Sequence, residues 1–167
     1  QGTSSGGQSR TLTSGSVATT SQNGPSLVVQ LSAADLNEVK RLRLLAVDQA
    51  STFLSITTTA IADMVGNTIA AVPVATAIGV TVYTADSASP ELVSFGLDMS
   101  LDVAVLSLTF SETVQAASLQ PTQITLQSET SRFTSSARSR TLTGGTLSTS
   151  DSTVLTIDLT HSDLNAT

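Results

Sequence analysis

Apolar and polar residues alternate along most of this chain with the two-residue period of a β-strand. Leu27, Val29 and Leu31 alternate with Val28 and Gln30, the pattern of a half-buried strand. Residues 11–13 read as a short strand before it, and 14–26, with Gly15, Gly24 and Pro25, as a turn or loop. Residues 52–59 are β-branched and alternating. Residues 76–84 alternate most cleanly, with Thr76, Ile78, Val80 and Val82 on one side and Ala77, Gly79, Thr81 and Tyr83 on the other, and make the longest strand expected. Further on, Val93, Phe95 and Leu97 open a new unit. Ala104, Leu106, Leu108 and Phe110 then form an inward row against Val103, Val105, Ser107 and Thr109. Strands are also expected at 122–127, 139–143 and 153–159, with a connection at 111–122 that holds one helical turn at 116–119.

One stretch follows the helical period. Leu36, Val39, Leu42, Leu45 and Ala46 recur at three- and four-residue steps, which predicts a helix over about 33–46. Ser32 sits before it with Asp35 three residues on, as in a capping box with Asp in the Glu position. The hydroxyl would accept from a free backbone N–H, and the carboxylate would favour the positive helix end. Residues 63–67 (Asp-Met-Val-Gly-Asn) are a turn, with Gly66 and Asn67 suited to positive φ.

The chain repeats itself. Ser9-Arg10-Thr11-Leu12-Thr13 returns as Ser139-Arg140-Thr141-Leu142-Thr143, 130 residues later. Each copy runs through a Gly/Ser patch into an alternating apolar run and then into Asp-Leu-Asn, at 35–37 and at 163–165, now 128 residues apart. A period of one domain's length marks a tandem array. Asp86-Ser87-Ala88-Ser89-Pro90 closes a small polar run on proline, a boundary signal. Residues 1–86 are therefore read as the last two-thirds of one unit, with 1–8 loose, and 87–167 as the first two-thirds of the next. Many short strands with turn signals between them and one short inserted helix predict an all-β chain of antiparallel β-sandwich repeats.

Two stretches resemble the bacterial-type Ig-like repeats of surface-layer and adhesin-like proteins. Leu108-Thr109-Phe110-Ser111-Glu112-Thr113-Val114 is similar to a strand of those repeats, and Ala60-Ile61-Ala62-Asp63-Met64-Val65-Gly66-Asn67 to a turn near their end. The helix at 33–46 departs from the simplest Ig topology. The resemblance implies tandem extracellular β-sandwiches used as stalks, fibres or coats, and it carries no active residues.

Composition bears on the setting. Apolar residues are 40% of the chain, but aromatics are 3% and Trp is absent, so a core must be built from Val, Leu, Ile and Ala. Close to a third of the residues are Ser or Thr, and charged residues are only 12%. Such a surface points to an extracellular setting and offers acceptors for O-linked sugar. A net charge of −6 speaks against nucleic acid, which needs a basic stripe. Lys40, Arg41 and Arg43 are read as the solvated face of the helix. Without cysteine, stability rests on burial and strand pairing. No apolar run is long enough to cross a membrane. A first residue of Gln1 is expected of a processed or internal segment, so the missing signal pattern decides nothing about secretion.

Candidate chemistry is sparse. His161 lies between Thr160 and Ser162-Asp163, but adjacent residues cannot fold into a Ser-His-Asp relay. No catalytic, cofactor or metal residue is assigned, and the chain is read as no enzyme. Asp63, Asp86, Asp98 and Asp102 are the candidates for a Ca²⁺ site, though without a D-x-D-x-D-G loop. Asn165-Ala166-Thr167 fits the N-glycosylation sequon. Ser/Thr tracts at 3–5, 18–21, 57–59 and 134–136 are O-glycan candidates, with Thr57, Thr58 and Thr59 singled out. The expected function is a structural subunit or segment of an extracellular fibre or surface array, its Ig-like sandwiches joined end to end and completed by strands from neighbouring copies. The competing expectation is an adhesin that grips a sugar or protein through its loops. Stacking aromatics would support it, but the loops carry little beyond Phe133.

Overall fold

In a computed structural model the chain divides into two units, Gln1–Ala88 and Ser89–Thr167. The structure describes residues 7–13, 15–17, 23–100, 102–130, 133 and 136–165. Most regular structure is strand in antiparallel sheets, with few helices, so the all-β class holds.

In the first unit, β1 (Gly15–Val17) and β2 (Val29–Leu31) form a two-stranded antiparallel ladder. Helix α1 (Ala33–Arg41) follows at once. The Ser32 hydroxyl accepts from the Asp35 amide at 3.1 Å, the local chemistry expected of an N-cap. The helix is five residues shorter at its end than 33–46. Leu42 closes it by donating to the Glu38 and Val39 carbonyls, and Ala46 takes a left-handed φ of +52° while its carbonyl accepts from the Tyr83 hydroxyl at 2.7 Å. The remainder is a ragged antiparallel arm. β3 (Phe53–Leu54) pairs with β4 (Ile78–Gly79), Ile56 bridges Val72, and Ala62 bridges Thr68 across a turn. At that turn Gly66 takes φ +93°, as expected, whereas Asn67 stays at negative φ.

Two of the expected strands are much shorter than their alternation implies. Residues 52–59 hold only β3 and one bridge, and 76–84 hold only β4, after a 3-10 turn at Val74–Thr76. Alternation offers a face for burial, but a strand lasts only as far as its partner, and β3 gives β4 two residues to pair with. Among the described residues, 11–13 form no strand in this unit.

In the second unit, β5 (Leu92–Asp98), β6 (Val105–Val114), β9 (Thr146–Leu147) and β10 (Ser152–Asp158) form one sheet in the order β5-β6-β10-β9. β6 is the longest strand of the described residues, at 10 residues. β7 (Thr125–Gln127) pairs separately with β8 (Ser139–Thr141), and α2 (His161–Leu164) follows β10. A 3-10 turn at Ala116–Ser118 supplies the expected helical turn. The row Ala104, Leu106, Leu108 points inward as predicted, with Phe110 packed against it. It meets Ile157 and Leu159 beside β6 and Leu142 after β8, with Ile124, Leu126 and Leu164 around them.

β1 and β9 stand where a loop was expected; β1 starts at Gly15, and β9 starts directly after Gly145. A Cβ on Gly15 would lie 2.9 Å from the Gln30 carbonyl oxygen. On Gly145 it would lie 2.6 Å from Ile157 Cγ2 and 2.7 Å from the Asp158 oxygen, at a φ of +145°. The missing side chain lets these strands close on their partners. Gly145→Ala should therefore destabilise the second unit by about 1–3 kcal/mol, from backbone strain and overlap together. Gly144→Ala, whose Cβ would meet only Thr160 Cγ2 at an ordinary 3.8 Å, should leave the midpoint of thermal unfolding near the parent value.

Candidate functional site

The two copies of the repeat build the same object. In the first unit the fully buried Asp35 carboxylate is encircled by donors from the start of the chain. Arg10 donates to Oδ1 through Nε at 3.2 Å and Nη2 at 2.8 Å. Thr13 donates its amide to Oδ2 at 2.9 Å and its hydroxyl to Oδ1 at 3.1 Å. In the second unit Asp163, with a side chain 1% exposed, is held the same way. Arg140 donates from Nε to Oδ1 at 3.1 Å, the Thr143 amide reaches both oxygens at 3.1 and 3.0 Å, and the Thr143 hydroxyl reaches Oδ2 at 3.0 Å. Thr160, the N-cap residue of α2, adds its own hydroxyl at 2.8 Å, while that oxygen in turn accepts from the Asp163 amide at 3.1 Å.

Each helix start therefore places an Asp with its amide on the cap hydroxyl and its carboxylate turned inward. A carboxylate removed from water must be met by charge and by N–H or O–H donors, and here Arg and Thr supply both. Burial pushes the Asp163 carboxyl up, but the Thr143 amide, the Thr160 and Thr143 hydroxyls and Arg140 outweigh it and hold it below the usual carboxylate value. These carboxylates are saturated by structural donors. The pairs tie the Arg-Thr-Leu-Thr segment to the helix that follows it.

Of the residues singled out in the sequence, Asp63 accepts from Asn67 Nδ2 and from the Asn67 and Val65 amides, which together hold its carboxyl low. Asp86 pairs with Lys40 at 2.9 Å and caps the Ala88 amide, and Asp98 accepts from the Ser100 amide and hydroxyl. Each serves its own turn or helix, and among the described residues no three His, Cys, Asp or Glu side chains gather into a metal-binding group. His161 is exposed at the first turn of α2, and its neighbour Asp163 is committed to Arg140. Thr57, Thr58 and Thr59 are exposed at a turn, with the Thr57 and Thr59 hydroxyls 3.2 Å apart. Asn165 is exposed at the end of α2; residues 166–167 of its sequon, the tracts at 3–5 and 18–21, and residues 134–135 lie outside the described residues. A shallow depression lined by Asn23, Gly24, Leu27, Ile61 and Met64 has Asp63 as its charged member, already engaged in its turn. No described helix is long and apolar enough to cross a membrane.

Both halves of the clasp stand in the sequence, as the repeated Ser-Arg-Thr-Leu-Thr and the repeated Asp-Leu-Asn, but neither period nor spacing joins them. The signal was there. An Arg and an Asp recur together in a chain with little charge, 25 residues apart in one copy and 23 in the other. Comparisons with protein families, with curated proteins and with solved structures gave no match.

The clasp has a pH signature. Asp163 has a folded pKa below its unfolded one, so its stabilisation is complete above the ordinary carboxylate range and is lost as pH falls through the folded value. Asp163→Asn should lower stability at neutral pH by about 1.5–3 kcal/mol, the worth of hydrogen bonds to a charged group. Its acid unfolding limb should also be flatter than the parent's. Circular dichroism melts between neutral and strongly acid pH read both effects.

Proposed function

We propose that this chain is a structural subunit or segment of an extracellular fibre or surface array, built from Ig-like β-sandwich repeats joined end to end and completed by strands of neighbouring copies. The observation that carries this reading is the duplicated clasp and ladder. Ser16 faces Gln30 and Val17 faces Val29 in one unit, while Thr146 faces Asp158 and Leu147 faces Ile157 in the other, at the same register and beside the same Arg–Thr–Asp tie. A module reproduced at this level of detail, one domain length apart, is the building principle of tandem arrays.

Further support comes from what each unit leaves open. Phe95 and Leu97 stand opposite Leu108 and Leu106 in the sheet, yet they remain exposed at the edge strand β5. Phe53, Leu54 and Ile78 are exposed in the arm of the first unit. Apolar rows of this kind are surfaces for neighbouring modules. The surface is rich in Ser and Thr and poor in charge, which suits an extracellular coat. The exposed hydroxyls of Thr57, Thr58 and Thr59 and the amide of Asn165 are the proposed sugar carriers. The partners are further repeats of the same kind; the role calls for no catalytic step, cofactor or Ca²⁺.

Electron microscopy of the native material should show fibres or a lattice with an axial repeat of a few tens of ångströms, near the length of one sandwich. Monodisperse globules would overturn the reading. Intact mass under denaturing conditions then separates one long chain of repeats from discrete subunits.

A further inference from the structure

The two copies share sequence, clasp and ladder, and differ in what lies beside them. In the second unit β10 runs between β9 and β6, and Leu155, Ile157 and Leu159 are 1%, 0% and 6% exposed. Their counterparts one period earlier, Leu27, Val29 and Leu31, are 40%, 57% and 42% exposed. β2 has β1 on one side; on its other side no strand stands among the described residues. The Leu159 amide donates to the Ala104 carbonyl at 2.9 Å, and nothing among the described residues takes that place beside Leu31.

The same asymmetry appears at a second place. β8 pairs with β7, the Leu142 amide donates to the Ile124 carbonyl at 2.9 Å, and Leu142 is 2% exposed. The identical five residues at 9–13 form no strand, and Leu12 is 45% exposed. Both absent neighbours, a β6 and a β7, belong to one contiguous stretch, residues 89–130. The chain holds that stretch once and the ladder that receives it twice.

We infer that residues 9–13 and 27–31 form the seat for a second segment built like residues 89–130, in the register that the second unit already displays. A strand patterned like β6 lies along the open edge of β2, with Leu27, Val29 and Leu31 meeting the positions of Leu108, Leu106 and Ala104. A strand patterned like β7 lies along 9–11, with Leu12 taking the carbonyl that Ile124 gives to Leu142. Exposed strand edges are ordinarily blunted by Lys or other charges, yet residues 27–31 carry no charge at all. This edge is built for pairing by strand addition.

The occupant is the segment of an adjoining repeat. A second copy could donate its own residues 89–130 only by stripping β6 from β10 and β7 from β8, which would expose Leu155, Ile157 and Leu142 to cover Leu27, Val29 and Leu12. Such an exchange gains no burial. The inference rests on the array reading and deepens it by naming the partner segment and its register.

The test appends a second copy of residues 89–130 ahead of Gln1 in the full chain and follows amide hydrogen exchange by NMR. In the unmodified chain the Leu12 and Leu31 amides should exchange fast beside Leu142 and Leu159. In the extended chain they should slow by about a hundredfold or more, toward their counterparts. An appended copy carrying Leu106→Asp and Leu108→Asp should give no slowing. Fast exchange at Leu12 and Leu31 in an extended chain that keeps Leu142 and Leu159 protected would overturn the proposal. So would slowing in the unmodified chain that grows with concentration, since that assigns the seat to a second copy's own segment. Should the extended chain lose protection at Leu142 and Leu159, residues 89–130 supplied as a separate peptide to the intact chain give the same two-way reading. Slowed amides with globular native material would sink the fibre and leave the seat standing. Fibres with fast amides would do the reverse.

Discussion

A carboxylate that gives up water has to be met by donors on every side, and this requirement organises both units. Among the described residues of the first unit Asp35 alone is buried, and its four bonds from Arg10 and Thr13 fix the start of the chain against the head of α1. Removing the donors of a buried carboxylate is costly, because the charge left behind has no water to return to. The tie therefore specifies where the Arg-Thr-Leu-Thr segment must lie even where little apolar burial helps it. In the second unit the same tie works beside a hydrophobic core, with Leu142 between Arg140 and Thr143 facing inward. Polar specification is common to both copies; among the described residues, apolar burial belongs to one.

The five residues Ser-Arg-Thr-Leu-Thr offer a direct comparison of local and tertiary control. Their propensities are the same in both copies, and the clasp holds them in both. Yet 139–141 is a strand while 9–11 is not. The difference is β7, with its ladder of Thr125, Leu126 and Gln127 and the 2.8 Å contact between the Thr125 and Thr141 hydroxyls. Strand is a property of a pair, and no reading of five residues alone could separate the two outcomes.

That distinction explains which elements were legible in the sequence. The inward row Ala104, Leu106, Leu108 was legible because β6 has partners on both edges, so its alternation is honoured by burial. The alternation at 76–84 is cleaner still, but its partner supplies two residues, and the rest stays irregular. The start of α1 was legible because Ser32 acts on an amide three residues away; its end was not, because Ala46 is tied to Tyr83, 37 residues on. β1 and β9 were hidden behind Gly/Ser patches that read as loops, although it is the glycine that admits the close approach. The clasp was half legible. Asp35 was given the cap's electrostatic role, whereas its amide serves the cap and its carboxylate reaches back 25 residues to Arg10.

In the second unit β6 and β7 bury Leu159 and Leu142; among the described residues the first unit's ladder has neither neighbour, so within this chain one segment serves one ladder. Each added period brings one segment and one ladder, so in an array every ladder but the first has a segment ahead of it. Exchange between copies brings no such segment, because the one it moves is already in use. The low charge and high Ser/Thr content are compatible with that proposal: residues 27–31 carry no repelling Lys, and hydroxyls keep the remaining surface wet. In the proposed array, strand edges paired inside each module would hold it together, and the Arg–Asp tie would fix where the Arg-Thr-Leu-Thr segment lies.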